Sequence, residues 1–284
     1  MKYRLFDAFG IPVYLDVSLI ILLAMFVLGG GSFWAGIACA SMLLASITAH
    51  EFGHALTARA FGYPTRDITL SLIGGCASLI ALPRKASQEF LTAIAGPAVS
   101  FALAVLGAGG IALAADAGGF LDAAGLVAAE SLGAFGLDVS LGEGVMVGRN
   151  SLFAVECLLY FSTMNMMLFF FNMLPGFPMD GGRVFRSAML RFTTRLRATY
   201  VAMVVGRAVA VLIGLRGLWR FTHGGSWGLV TVLIAWMIWR EGYREYLLAR
   251  MEDPFGGEPF GGYRARVSPP PYGGRGEDCD VGKC

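Results

Sequence analysis

Charge is scarce in this chain. Lys, Arg, Asp and Glu make up 15% of 284 residues, hydrophobic residues reach 56%, and the mean hydropathy is +0.64. Soluble domains carry about 25% charged residues, so the composition excludes a water-soluble globule and reads as an integral protein of the lipid bilayer. Histidine is scarcer still, with three in all. Five cysteines, at positions 39, 76, 157, 279 and 284, form no disulfide framework, and Cys279 with Cys284 makes only a weak metal clasp. A net charge of +2 selects no partner, and the basic residues are scattered at the ends of apolar runs, which argues against nucleic acid. No apolar stretch with a small-residue cleavage site follows Lys2 and Arg4, so the opening residues do not read as a removed leader.

Two of the three histidines stand four apart, in His50-Glu51-Phe52-Gly53-His54. On a helix this spacing puts both imidazoles on one face, within reach of one metal ion, with Glu51 close beside it. The flanking residues are almost wholly apolar or small, and ionisable groups at membrane depth are costly and functional by default. A catalytic zinc takes three protein ligands and keeps a fourth position open. His223, in the polar turn Thr222-His223-Gly224-Gly225, is a poor third ligand. Asp180 is a better one, in Asn172-Met173-Leu174-Pro175-Gly176-Phe177-Pro178-Met179-Asp180-Gly181-Gly182. Prolines and glycines break the helix there, and broken backbone at membrane depth is tolerated only where it is buried in protein or lines a cavity.

HExxH on one apolar helix, followed by NxxPxxPxDG on a later one, resembles the site-2 protease family of intramembrane zinc metalloproteases. Ala95-Gly96-Pro97-Ala98-Val99-Ser100 resembles that family's AGPxxN/S helix start, with Ser100 where many members have Asn. Gly74-Gly75 resembles its glycine loop, and Phe9-Gly10-Ile11-Pro12-Val13 resembles the opening of its six-span branch. The similarity covers roughly residues 1 to 250.

The expected architecture is an all-α polytopic membrane protein of about six transmembrane helices, with a small membrane-associated β-hairpin or sheet between spans two and three. The spans are read at about 17–31, with Ile11 to Leu15 extending the first, then 32–61, 89–115, 152–174, 198–218 and 227–248. Alternation in Asp67 to Ile73, the Gly74-Gly75 pair and the run Cys76 to Leu82 predict the strands. Such a strand edge could hold an extended peptide by main-chain hydrogen bonds. Residues 116–150, rich in Gly and Ala, read as a loop or amphipathic insert. Arg207 within span five is expected to pair with Glu156 or to snorkel along its helix.

Arg183, Arg186, Arg191, Arg195 and Arg197 mark a cytoplasmic end. With both termini cytoplasmic, 18 Lys or Arg are assigned to the cytoplasmic side, three to the outside (Arg149, Arg216 and Arg220) and Arg207 to the interior of span five. A prokaryotic cell membrane is the expected location. Residues 1–250 form the membrane-embedded metalloprotease domain. Residues 251–284, rich in Pro and Gly, read as a disordered cytoplasmic tail too short for a PDZ or other regulatory domain.

The reaction these readings imply is metal-assisted peptide hydrolysis. His50, His54 and Asp180 hold one catalytic Zn2+, Glu51 is the general base and then acid, and Asn172 hydrogen-bonds the substrate main chain or the oxyanion, a role the resemblance also implies. The substrate is a membrane-anchored protein with a transmembrane segment, and a regulatory membrane partner is an open expectation. Two other readings compete: a metal transport or sensor protein, for which polar ligands occur at one depth only, and a non-catalytic metal-binding scaffold, for which the presence of Glu51 is unfavourable.

Overall fold

The computed structural model describes residues 2–29, 33–71, 74–79, 85–114, 120–134, 152–224 and 228–252. The chain opens with a β-hairpin. Strands β1 (Lys2–Ala8) and β2 (Ile11–Asp16) pair antiparallel across the two-residue turn Phe9-Gly10, where φ is 54° and 75°. Positive φ at both turn residues matches the right-handed twist of the flanking strands, and Gly10 adopts it without a Cβ penalty. This corrects the expectation that Ile11 to Leu15 extends the first span. Ile11, Val13 and Leu15 are buried on one face of β2 while the alternate residues are half-buried, the period of a strand.

Helices α1 (Val17–Gly29) and α2 (Phe33–Ala60) follow, and then β3 (Thr65–Ser71) and β4 (Gly74–Leu79) complete one four-stranded sheet of order β1-β2-β3-β4. The central β2 and β3 run parallel, with Val13 opposite Ile68 and Leu15 opposite Leu70. The expected strands between spans two and three therefore exist, but half of the sheet comes from the N-terminus. Gly74-Gly75 begins β4 and is paired to Leu70 and Ser71, so it is strand and not a loop.

The buried sheet residues Ile11, Val13, Leu15, Ile68 and Leu70 pack against Leu19 of α1 and Leu43, Ile47, Phe52 and Ala55 of α2. The hairpin tip is fastened further down α2: the Phe9 and Phe52 rings meet edge to face at 5.4 Å, and Arg59 donates to the Phe9 carbonyl at 2.7 Å. The sheet thus braces the turn of α2 that carries the HExxH residues.

Five more major helices and one short one complete the described fold. Helix α3 (Ala86–Ala114) begins well before the Ala95-Gly96-Pro97 segment, which lies inside it and does not start it. Helix α4 (Phe120–Ala134) falls within the stretch expected to be a loop or amphipathic insert. It buries Ala123 and Val127 against Ala108 and Ile111 of α3 and Val155 of α5 (Leu152–Asn172). The short α6 (Asp180–Met189) precedes α7 (Arg195–Thr222) and α8 (Gly228–Glu252), which pack as a pair. Met179, just ahead of α6, is buried against Ala210 of α7 and Ile238 of α8. Among the described residues Arg207 makes no ion pair with Glu156: its guanidinium lies over the rings of Trp239, at 4.6 Å, and Tyr243, at 5.3 Å, both on α8. Among the described residues four helices are long and apolar enough to cross a membrane: α2, α3, α5 and α7. The tail, 253–284, lies outside the described residues.

Candidate metal centre

His50 and His54 occupy the last third of α2, one turn apart, and their rings meet edge to face at 4.9 Å. They face α3 at a point where that helix has no side chain. A Cβ at Gly96 would lie 2.7 Å from His50 Nε2 and closer still to His54 Nε2. The converse holds on α2, where a Cβ at Gly53 would stand 2.8 Å from the Ala95 carbonyl oxygen. Two small residues thus let the helix backbones approach until the imidazoles fill the space between them.

Each imidazole is tied back through Nδ1. His54 Nδ1 stands 2.7 Å from the Thr92 carbonyl oxygen, which can only accept, so Nδ1 carries the proton and the neutral ring presents a lone pair at Nε2. His50 Nδ1 stands 2.9 Å from the hydroxyl of the fully buried Ser100. These contacts fix ring orientation in the way that outer-shell partners orient metal-binding histidines.

The third group arrives from the broken segment after α5. Asp180 is the first residue of α6, and Gly181 and Gly182 let that turn sit directly on neighbouring backbone: Cβ atoms there would come within 2.5 Å of the Met173 carbonyl carbon and 2.7 Å of the Gly176 carbonyl carbon. Gly176 is pressed in turn against α7, where its Cβ would stand 2.6 Å from Gly206 Cα. The result places Asp180 Oδ2 3.2 Å from His50 Nε2 and 3.1 Å from His54 Nε2, with the two Nε2 atoms 3.1 Å apart.

Do these residues fit a zinc ion? Bonds of 2.0–2.1 Å in a tetrahedral shell set ligand atoms roughly 3.3 Å apart, close to the three observed separations. His50, His54 and Asp180 are also a set of ligand atoms that all lie within 4.8 Å of one another. Two imidazole nitrogens and a carboxylate oxygen converging at 3.1–3.2 Å are the donor types that zinc takes. The donor set fits the metal.

Glu51 is buried beside the triangle, within electrostatic range of His54, His50, Asp180 and Arg183. Asn172, the last residue of α5, is half-buried, and its Nδ2 donates to the Leu168 carbonyl at 2.9 Å. His223 caps the far end of α7, exposed, with its ring stacked on Trp219 at 4.5 Å, so the poor candidate has no place in the cluster.

Residues 38–213, which contain both motifs, match the sequence pattern of Peptidase family M50. The chain belongs to Peptidase family M50. It is 27% identical over 256 residues to the zinc metalloprotease MJ0392 of Methanocaldococcus jannaschii, covering 89% of this chain and 62% of that one. It is 32% identical over 252 residues to the Synechocystis protein sll0528, covering 83% and 57%, and 33% identical over 221 residues to Rip3 of Mycobacterium tuberculosis, covering 77% and 48%. The chain therefore spans about half to three-fifths of the length of these curated relatives. Its fold is like that of the site-2 protease from Methanocaldococcus jannaschii, with a TM-score of 0.54 and 24% identity over 87% of this chain and 95% of that one.

Within this M50 chain, three site features escaped the motif reading. The Thr92 carbonyl leaves no trace in sequence, because any residue could supply it. Ser100 was visible as a departure from the family pattern, and here a hydroxyl meets His50 directly. The space kept by Gly96 was legible only as part of a segment taken for a helix start.

Proposed function

We propose that this chain is an intramembrane zinc metalloprotease that hydrolyses a peptide bond within or near the transmembrane segment of a membrane-anchored protein. The observation that carries the reading is the convergence of His50, His54 and Asp180 on one point, each imidazole fixed from behind, beside a buried Glu51 on a helix long enough to cross a bilayer. His50, His54 and Asp180 hold one ion. Bound zinc supplies Lewis acidity and lowers the pKa of water toward neutrality. Glu51 takes the proton from the attacking water and returns it to the departing amine. Asn172 keeps one amide hydrogen and its carbonyl oxygen for the substrate main chain or the oxyanion. A helical substrate hides its amides in internal hydrogen bonds, so it unwinds before attack, and the sheet edge near α2 offsets that cost by pairing with the extended strand.

The topology that suits this reading has six crossings and both termini in the cytoplasm. Because β2 and β3 lie side by side while α1 and α2 run between them, the number of crossings between the strands is even, and α1 crosses when α2 does. The 13 residues of α1 span about 20 Å against a hydrocarbon core of about 30 Å, so the bilayer thins at that point. The last span is α8. Residues 1–250 form the protease domain; residues 251 and 252 complete α8, against the expected start of the tail at 251.

The test is metal content together with cleavage of a membrane-anchored reporter by purified full chain in detergent. Glu51→Gln is expected to keep its metal and lose about a hundredfold to ten-thousandfold in rate; retained cleavage would refute the general-base role. Asp180→Asn is expected to lose metal, and unchanged zinc content would move the third ligand elsewhere.

A further inference from the structure

Among the described residues outside the metal centre, buried charge concentrates at one place, where the start of α3, the body of α6, the start of α7 and the end of α8 meet. Glu89 and Arg186 are 6% and 5% exposed. Arg186 donates to Glu89 Oε1 through both Nε, at 2.8 Å, and Nη2, at 2.6 Å. Arg195 donates to the other oxygen of Glu89 at 3.2 Å, and Glu245 accepts from Arg186 Nη1 at 3.4 Å. The flat face of the Arg186 guanidinium lies 5.0 Å from the ring of Phe177, in the segment that leads to Asp180. Every edge of this side chain is thereby engaged.

We propose that Arg186 and Glu89 are positioning residues for the metal centre, setting where Asp180 stands relative to His54. The proposal rests on reading His50, His54 and Asp180 as metal ligands. Arg186 is on the same helix as Asp180, and Glu89 lies one turn ahead of Thr92, whose carbonyl orients His54. One ion pair therefore joins the helix that carries one ligand to the helix that aims another. Helix α6 has 10 residues and no side-chain bond at its N-cap Met179, too short to hold its shape alone, so its orientation comes from docking. Gly181 and Gly182 allow close approach but give no direction. The paired hydrogen bonds from one guanidinium do give direction, which a point charge does not.

Removing either member of a buried pair also costs stability, so the test must separate positioning from general cohesion. Arg195 provides the control, since it bonds the same carboxylate from α7 and carries no ligand. The full chain in detergent is titrated with Co2+, reading affinity by competition with a chelator and site geometry by visible absorption, for wild type, Arg186→Gln, Arg186→Lys and Arg195→Gln. Both Arg186 variants are expected to bind Co2+ about 10- to 100-fold more weakly with altered absorption. Arg195→Gln is expected to lower the melting temperature while leaving affinity and spectrum as in wild type. Where Arg186→Gln does not fold, Arg186→Lys, which keeps the charge and loses the fork, decides. Wild-type affinity and spectrum in Arg186→Lys, or an equal loss in Arg195→Gln, would overturn the proposal. Failure of wild type to bind Co2+ would overturn the metal reading beneath it.

Discussion

A methyl group at position 96 would occupy space that both imidazoles need. Gly96→Ala is therefore expected to displace the rings and cut cleavage by about a hundredfold, the cost of misplacing a reacting group by about an ångström, with metal content falling in parallel. Gly109→Ala on the same helix, where an added Cβ meets nothing within 4 Å, is the control and is expected to leave both unchanged. Purified variants assayed side by side for zinc and for cleavage check this. At this scale the cluster of His50, His54 and Asp180 was legible, because these residues carry their chemistry in their side chains and stand out in an apolar background. The groups that aim them were less so. Thr92 acts through its carbonyl and Gly96 through an absence, and neither leaves a chemical signature in sequence.

Among the elements, α2, α3, α5 and α7 were readable from their apolar length and β2 was not. Ile11, Val13 and Leu15 alternate as a strand should, but Pro12 interrupts them and the apolar run continues straight into α1, so the same residues also read as the start of a span. The boundary is marked by Asp16, which accepts from the Ser18 amide at 2.9 Å and caps α1. A hydrogen bond from the Ser18 hydroxyl, together with the one from its amide, holds the Asp16 carboxyl below its usual pKa. A carboxylate with a depressed folded pKa contributes stability above its unfolded pKa, about 3.9, and loses it as pH falls through the folded value. Asn caps as well as Asp and does not titrate. Thermal midpoints followed from pH 7 down to pH 3 are thus expected to fall more steeply in wild type than in Asp16→Asn, and parallel curves would remove Asp16 as a contributor. Helix α4 was hidden for a different reason: its Ala and Gly content is compatible with a loop, and only burial against α3 and α5 decides for the helix.

For the whole molecule, the six-crossing arrangement makes a claim about sides. In a background without native cysteines, a thiol introduced at His223 is expected to react with a membrane-impermeant maleimide on intact cells. One at Arg191 is expected to react only after permeabilisation, and the opposite pattern would invert the topology. The sheet order was beyond the reach of the sequence, because pairing β2 with β3 depends on where two intervening helices return the chain.

That parallel pairing has a bearing on how the protein is made. The β1-β2 hairpin is made before α1 and α2 and keeps an open edge until β3 has come back beside it. A chain whose first helical pair fails to insert as a unit leaves β3 on the wrong side of the membrane and cannot close the sheet. Such a molecule displays unpaired strand edges, the feature that most readily recruits chaperones or seeds aggregation. Closure of the sheet thus depends on α1 and α2 returning the chain to the side on which it began.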